Sequence, residues 1–293
     1  MGIFSAVKAN KAYRLQQKGE NQEAIRLYEE AFQEGVNDNR YNLAYALLII
    51  RDGQYQKAKD FLVAHQKTPG MTQEQRTNLL VDYAACCFRL GDLDKGISTL
   101  EQQFRKAPSG MIYQTLGYLY VEKYDAAHRP DFAALNAAEE AENTETAETP
   151  ETESTGTAAE NLPAEQPKET ERKLTPEETW EAGKAKAEKF IRDSVDYDDE
   201  DPVCLDNMGQ FIYRALENPA EAKPWFEKAL ALKDSQIDTL YFLSRYDEAA
   251  GNKTAALEKL EKAAEGRFSP LNYCGKDTIQ REIERLKGET NHG

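Results

Sequence analysis

The chain is 293 residues long and carries 37 basic against 52 acidic side chains, a formal charge of −15. That balance excludes nucleic acid or an anionic membrane as the main partner, because either would repel it. No segment approaches the ~20 apolar residues of a spanning helix, and the first residues, MGIFSAVKANK, hold no apolar stretch of signal length. Cys86, Cys87, Cys204 and Cys274 form no Cys-x-x-Cys pair and fall on apolar helical faces, which reads as free buried thiols and a cytoplasmic location.

In chain order, the dominant signal is a frame of small and apolar residues. Gly19, Ala24, Tyr28 and Ala31 stand at offsets 0, 5, 9 and 12, and the frame returns 34 residues later at Gly53, Ala58, Leu62 and His65. It recurs at Gly91, Gly96, Leu100 and Gln103, then at Ala222, Phe226 and Ala229, and last at Gly251, Ala256, Leu260 and Ala263. A pair of packing residues precedes each frame: Tyr45-Ala46, Tyr83-Ala84, Leu116-Gly117, Met208-Gly209 and Leu243-Ser244.

Two antiparallel helices per unit account for this. Glycine ends the first helix in the left-handed conformation that a Cβ disfavours. Small residues let the helix axes approach, and the aromatic or leucine fills the space beside them. Thr72 and Gln75 predict a capping box for the third unit, and Pro224 predicts a kink or a delayed start in the second helix of the fifth. Ile279, Ile283 and Leu286 predict a closing helix over 277–287.

The fourth unit is split. Gly117 and Ala187 are 70 residues apart where 12 are usual, so about 58 residues have been added. Residues 137–180 hold 13 glutamates against Lys168, Arg172 and Lys173. So acidic and apolar-poor a stretch cannot offset the entropy of folding, and it reads as disordered. Order is expected to resume at Thr175-Pro176-Glu177-Glu178, a cap followed by proline and a box-closing glutamate. The expected division is 1–124 for three units and half of a fourth, 125–175 for the insert, and 176–293 for the remainder. An insert of about 44 flexible residues spans on the order of 35–40 Å, enough to fold back across the repeats.

A 34-residue helical pair with this pattern resembles the tetratricopeptide repeat family, over nearly the whole chain apart from the insert. The resemblance implies an all-α, right-handed superhelical solenoid of about six repeats with a C-terminal capping helix. It also implies binding of a protein or peptide in a concave groove lined by the first helices. The family's carboxylate clamp for heat-shock chaperones is not supported, since its positions here hold Ala9, Tyr13, Ala44, Asn78 and Asp82, none of them basic.

The concave positions that remain usable are Tyr13, Arg40, Arg51, Arg89, Tyr118, Gln210, Arg214, Tyr241 and Arg245. Arg51, Arg89 and Arg214 take the same place near the end of a first helix, and such a row could grip acidic, partly aromatic peptides. A cation there also complements the helix dipole, and Asp82, Glu122, Asp206 and Asp238 share the face. No phosphate loop, nucleophile elbow or metal-spaced cluster appears, so no cofactor, metal or catalytic activity is expected. The acidic run 196–201 lacks the glycine and distal glutamate of a calcium loop and reads as a turn between units. A protein-binding adaptor follows as the functional reading; a non-catalytic subunit of an enzyme complex and a peptide-sensing regulator are the alternatives.

Overall fold

Four first helices end in the same way, and that ending sets the repeat. Gly19, Gly53, Gly91 and Gly251 all have φ near +80°. In each case the residue after the glycine donates its N–H back five residues, for example Gln54 to the Ile49 carbonyl at 2.9 Å and Asn252 to that of Asp247 at 2.8 Å. The carbonyls left over by the last turn are thereby satisfied, and the chain reverses into the second helix.

The computed structural model describes residues 3–138 and 174–290. Unit one comprises α1 (Ile3–Gln17) and α2 (Asn21–Gln33), and unit two α3 (Asn39–Arg51) and α4 (Tyr55–His65). Unit three is α5 (Gln73–Arg89) with α6 (Leu93–Lys106), and unit four is α7 (Gly110–Tyr124) with α8 (Pro176–Tyr197). In unit five, α9 (Pro202–Gln210) runs into a π turn (Phe211–Ala215) ahead of α10 (Pro219–Leu232). Unit six is α11 (Ile237–Ala249) and α12 (Lys253–Ala264), and α13 (Lys276–Thr290) closes the array. No strand occurs among the described residues.

The caps follow the side chains. Thr72 and Thr175 each form the full capping box, with Gln75 and Glu178, and Pro176 opens α8. Asp201, at the end of the acidic run, caps α9 by accepting from the N–H groups of Val203 and Cys204. Its other oxygen accepts from Gln114 Nε2 at 2.6 Å, tying unit five to unit four. Pro224 does not delay α10, which starts at Pro219 with Asn218 accepting from the Glu221 N–H. The cost is one missing N–H in the second turn.

Inside the array, the frame residues are the core. Ala24, Tyr28, Ala31, Ala58, Leu62, Leu100, Ala222, Phe226, Ala229, Ala256, Leu260 and Ala263 are all buried. Burial of each large member contributes about 1.5–3 kcal/mol. Ile279, Ile283 and Leu286 of α13 cover the exposed end, packed with Ile237, Leu240 and Leu260. At Gly209 the crossing admits no side chain, since a Cβ would lie 2.8 Å from the Phe226 ring.

The split unit is closed in space. Helix α7 packs against α8 although more than fifty residues separate them in sequence. Gly183 lets α8 lie directly on Tyr124, whose hydroxyl would meet a Cβ at 2.2 Å. Beyond 125, where the sequence places the start of the insert, residues 126–128 form a 3-10 turn and 132–138 are helical. The two ends of the insertion meet: Arg129 pairs with Glu177 at 3.0 Å, and Phe132 stacks edge-on with Trp180. The stretch 139–173, expected to be disordered, lies outside the described residues.

Unit five breaks the rule of the glycine turn. Glu217 occupies the place of Gly251 and holds φ at +52°. From Met208 to Glu217 is nine residues, where Leu243 to Gly251 is eight. The extra residue is absorbed by the π turn, in which the Leu216 N–H reaches the Phe211 carbonyl and that of Asn218 reaches Ile212. This wider turn carries Arg214 inward, where it is 6% exposed. Its Nε donates to Asp125 at 2.8 Å, Nη2 to Glu122 at 2.8 Å and Nη1 to Gln210 at 2.9 Å.

Two outcomes are expected. Glu217→Gly should relieve the left-handed strain, worth ~1–2 kcal/mol, against ~0.5–1 kcal/mol of added chain entropy; thermal unfolding should show a Tm higher by about 1–3 °C. Arg214→Met strands Glu122 and Asp125 and should cost ~3–5 kcal/mol in urea unfolding. Adding Glu122→Gln and Asp125→Asn should recover part of that loss. A free energy unchanged by Arg214→Met would show that the pairing contributes nothing.

Candidate functional site

The first helices touch one another in sequence, α1 with α3, α3 with α5, α5 with α7 and α7 with α9, and line the inner groove. At the C-terminal half this groove deepens into a cavity of about 540 Å3. Its walls come from α7 (Gln114, Thr115, Tyr118), α9 (Asp206, Asn207), the start of α11 (Gln236, Asp238) and the loop 265–275 that joins α12 to α13. The volume falls within the ~300–1,000 Å3 of small-ligand sites.

The loop is held across the groove by one carboxylate. Asp238 Oδ2 accepts from Asn272 Nδ2 and the Tyr273 N–H, both at 3.1 Å, and Oδ1 accepts from the Cys274 N–H at 3.4 Å. Tyr273 then lies over the Arg214 guanidinium, 4.1 Å from ring centroid to carbon, and stacks on Phe242. Behind it Asp206 accepts from Thr239 Oγ1 and from Gln210 Nε2. Glu122, Arg214, Gln210, Asp206 and Thr239 thus form one buried polar chain through three units.

Charge in this chain is unbalanced. Four buried acids, Glu122, Asp125, Asp206 and Asp238, share one buried cation, Arg214. Burial pushes the carboxyls of Asp206 and Asp238 well above the usual carboxylate range, and their mutual repulsion adds to it for Asp206. The hydrogen bonds from Thr239 and Gln210 act in the opposite direction on Asp206, as do those of the loop on Asp238. Farther along the groove, burial likewise raises Asp82 to about 7 against the pull of Arg51.

The residues expected on the concave face are placed as follows. Tyr13 and Arg40 come together, the guanidinium 5.9 Å from the Tyr13 ring and 4.4 Å from that of Tyr41. Arg51 is exposed and close enough to Arg267, at the mouth of the cavity, to be repelled by it. Arg89 turns toward the Tyr55 ring at 5.6 Å. Arg245 is taken up by Glu248 and by Glu282 of α13, and Tyr241 packs on Phe242 and Tyr273. Tyr118 and Gln210 are buried, the former in the cavity wall.

The row of three arginines therefore does not form. Arg214 shares its count from the packing pair with Arg51 and Arg89, yet the π turn rotates it into the interior, where its donors are consumed. The nine-residue interval in unit five was the available signal for this. Asp206 and Asp238 had shown in sequence only as acids diluting a basic face. Their common wall with Gln236 depends on the superposition of α9 on α11.

Among the described residues no helix is long and apolar enough to cross a membrane, and no group of three or more His, Cys, Asp or Glu gathers as a metal site. All four cysteines are buried and free, and burial pushes the thiols of Cys86, Cys204 and Cys274 up to about 12.

The model of the family described as anaphase-promoting complex, cyclosome, subunit 3 matches residues 17–103, from the end of α1 through most of α6. No curated protein matches in sequence. In fold, the chain is similar to TTC0263, a thermophilic TPR protein of Thermus thermophilus, with a TM-score of 0.55 at 14% identity, covering 85% of this chain and 99% of that one. It is also similar to PilW, a type IV pilus biogenesis factor, with a TM-score of 0.53 at 13% identity, covering 89% and 93%. These likenesses establish the architecture of stacked helical pairs. By repeat register and by fold, the chain has the architecture of tetratricopeptide-repeat proteins.

Proposed function

We propose that this chain is a non-catalytic protein-interaction module that receives an extended protein or peptide segment in its inner groove. The observation that carries the reading is the cavity of about 540 Å3 among α7, α9, α11 and the loop after α12, lined by side chains already fixed in position by hydrogen bonds. A pre-set wall lowers the ordering cost of binding. The half-buried Tyr13 with the exposed Arg40, and Arg51, extend the same inner face toward unit one and supply aromatic and cationic contacts. The protein acts in the cytoplasm on this reading, and its specificity comes from groove side chains on a rigid frame.

A display selection of peptides on the full chain tests the proposal. Ser235 is exposed at the cavity wall, so Ser235→Trp should obstruct the groove without touching the core. Selected peptides should bind that variant at least about tenfold more weakly. Equal binding to both proteins, or no selected binder, would overturn the groove reading.

A further inference from the structure

Stacking joins each unit to its neighbours, yet two cations from distant units face each other across the groove. Arg51 stands in the last turn of α3, in unit two. Arg267 lies in the loop that follows unit six, at the mouth of the cavity. Both residues are exposed, and they are close enough to repel each other.

The other arginines of the inner face are occupied. Arg40 donates to the Tyr41 hydroxyl and lies over two tyrosine rings, and Arg89 lies over that of Tyr55. Arg214 is spent on Glu122 and Asp125, and Arg245 on Glu248 and Glu282. Among the described residues, the guanidinium of neither Arg51 nor Arg267 forms an ion pair, donates a hydrogen bond or covers a ring. Asp82 of α5 attracts Arg51 without bonding to it, and Glu265 is exposed at the mouth without pairing with Arg267.

Acids are not scarce in this chain, which has 52 against 37 bases. Elsewhere they are matched to cations of the next unit, as in Lys57 with Glu29, Lys123 with Asp94 and Lys262 with Asp234. At Arg51 and Arg267 two positive charges are left facing, and they repel. A single anion between them turns that repulsion into two attractions. Each planar fork can present parallel N–H groups to the two oxygens of a carboxylate.

We propose that Arg51 and Arg267 clasp, from opposite walls of the groove, the carboxylate of one acidic side chain in the extended segment that the groove receives. This rests on the groove reading above and specifies its ligand. The site is not the clamp for chaperone tails, whose positions hold Ala9, Tyr13, Ala44, Asn78 and Asp82. From the clasp the groove runs one way to Tyr13 and Arg40 and the other way into the cavity. The acid therefore stands inside the segment and not at its end. Asp82 and the acids of the cavity repel further carboxylates, so one acid is favoured over an acidic run.

The test uses peptides from the display selection on the full chain. The selected sequences should share one glutamate or aspartate, and replacing it by glutamine or asparagine should weaken binding at least about tenfold. Amidating the peptide's C-terminus should change nothing. Arg51→Gln and Arg267→Gln should each weaken the acidic peptide by a similar factor and leave its amide counterpart unaffected, with circular dichroism checking that each variant is folded. Arg105→Gln removes the same charge from the exposed side of a second helix, α6, and should alter neither peptide. Peptides that Ser235→Trp displaces but that share no acid, or whose acid-to-amide difference survives both arginine changes, would overturn the clasp and leave the groove reading intact. Loss of binding on amidation would place the anion at the peptide's end and overturn the clasp as well. Peptides indifferent to Ser235→Trp would overturn both.

Discussion

A pair of short helices cannot bury its apolar stripe alone, so every unit in this chain depends on the one stacked against it. Close stacking requires small residues at the helix crossings, and the chain places alanine or glycine there in each unit, with Tyr28, Leu62, Leu100, Phe226 or Leu260 in the adjoining gap. Gly209 under the Phe226 ring and Gly183 under Tyr124 leave no room for a Cβ. Because the contact is between neighbours only, one unit can be interrupted by a long insertion and still be completed in space. The ion pair of Arg129 with Glu177 and the Phe132–Trp180 contact fasten the two ends of that insertion to each other.

The same stacking brings polar residues of successive first helices into line. In units four to six this produces a buried chain of acids and amides around Arg214 in place of an apolar seam. Buried charge of this kind adds little net stability compared with an apolar packing. Its effect is on position: Asp238 fixes the loop that walls the cavity, and Arg214 joins unit five to the root of the insertion. The cavity is therefore acidic within and carries Lys233, Arg267 and Glu265 at its mouth.

Much of the architecture was legible because it follows from local spacing. The 34-residue frame, the glycines at the ends of four first helices, the boxes at Thr72 and Thr175 and the apolar stripe of α13 each depend on residues close in sequence, and each is seen as expected. Pro224 does not delay α10, because Asn218 and Pro219 provide a start five residues earlier. Arg214 was misplaced for a similar reason. Counting from Met208 gave it the register of Arg51 and Arg89, whereas the count back from Glu217 differs by one.

What the sequence alone determined is thus the repeat: unit length, helix ends, core positions and the place of the insertion, all products of short-range geometry and the need to bury one face. What only the tertiary structure decided is the chemistry of the groove. A π turn of one extra residue sends a guanidinium inward, and the stacking of α9 on α11 sets Asp206, Asp238 and Gln236 around one cavity. Asp206 lies about thirty residues from the other two, and only the superposition of successive units makes them neighbours.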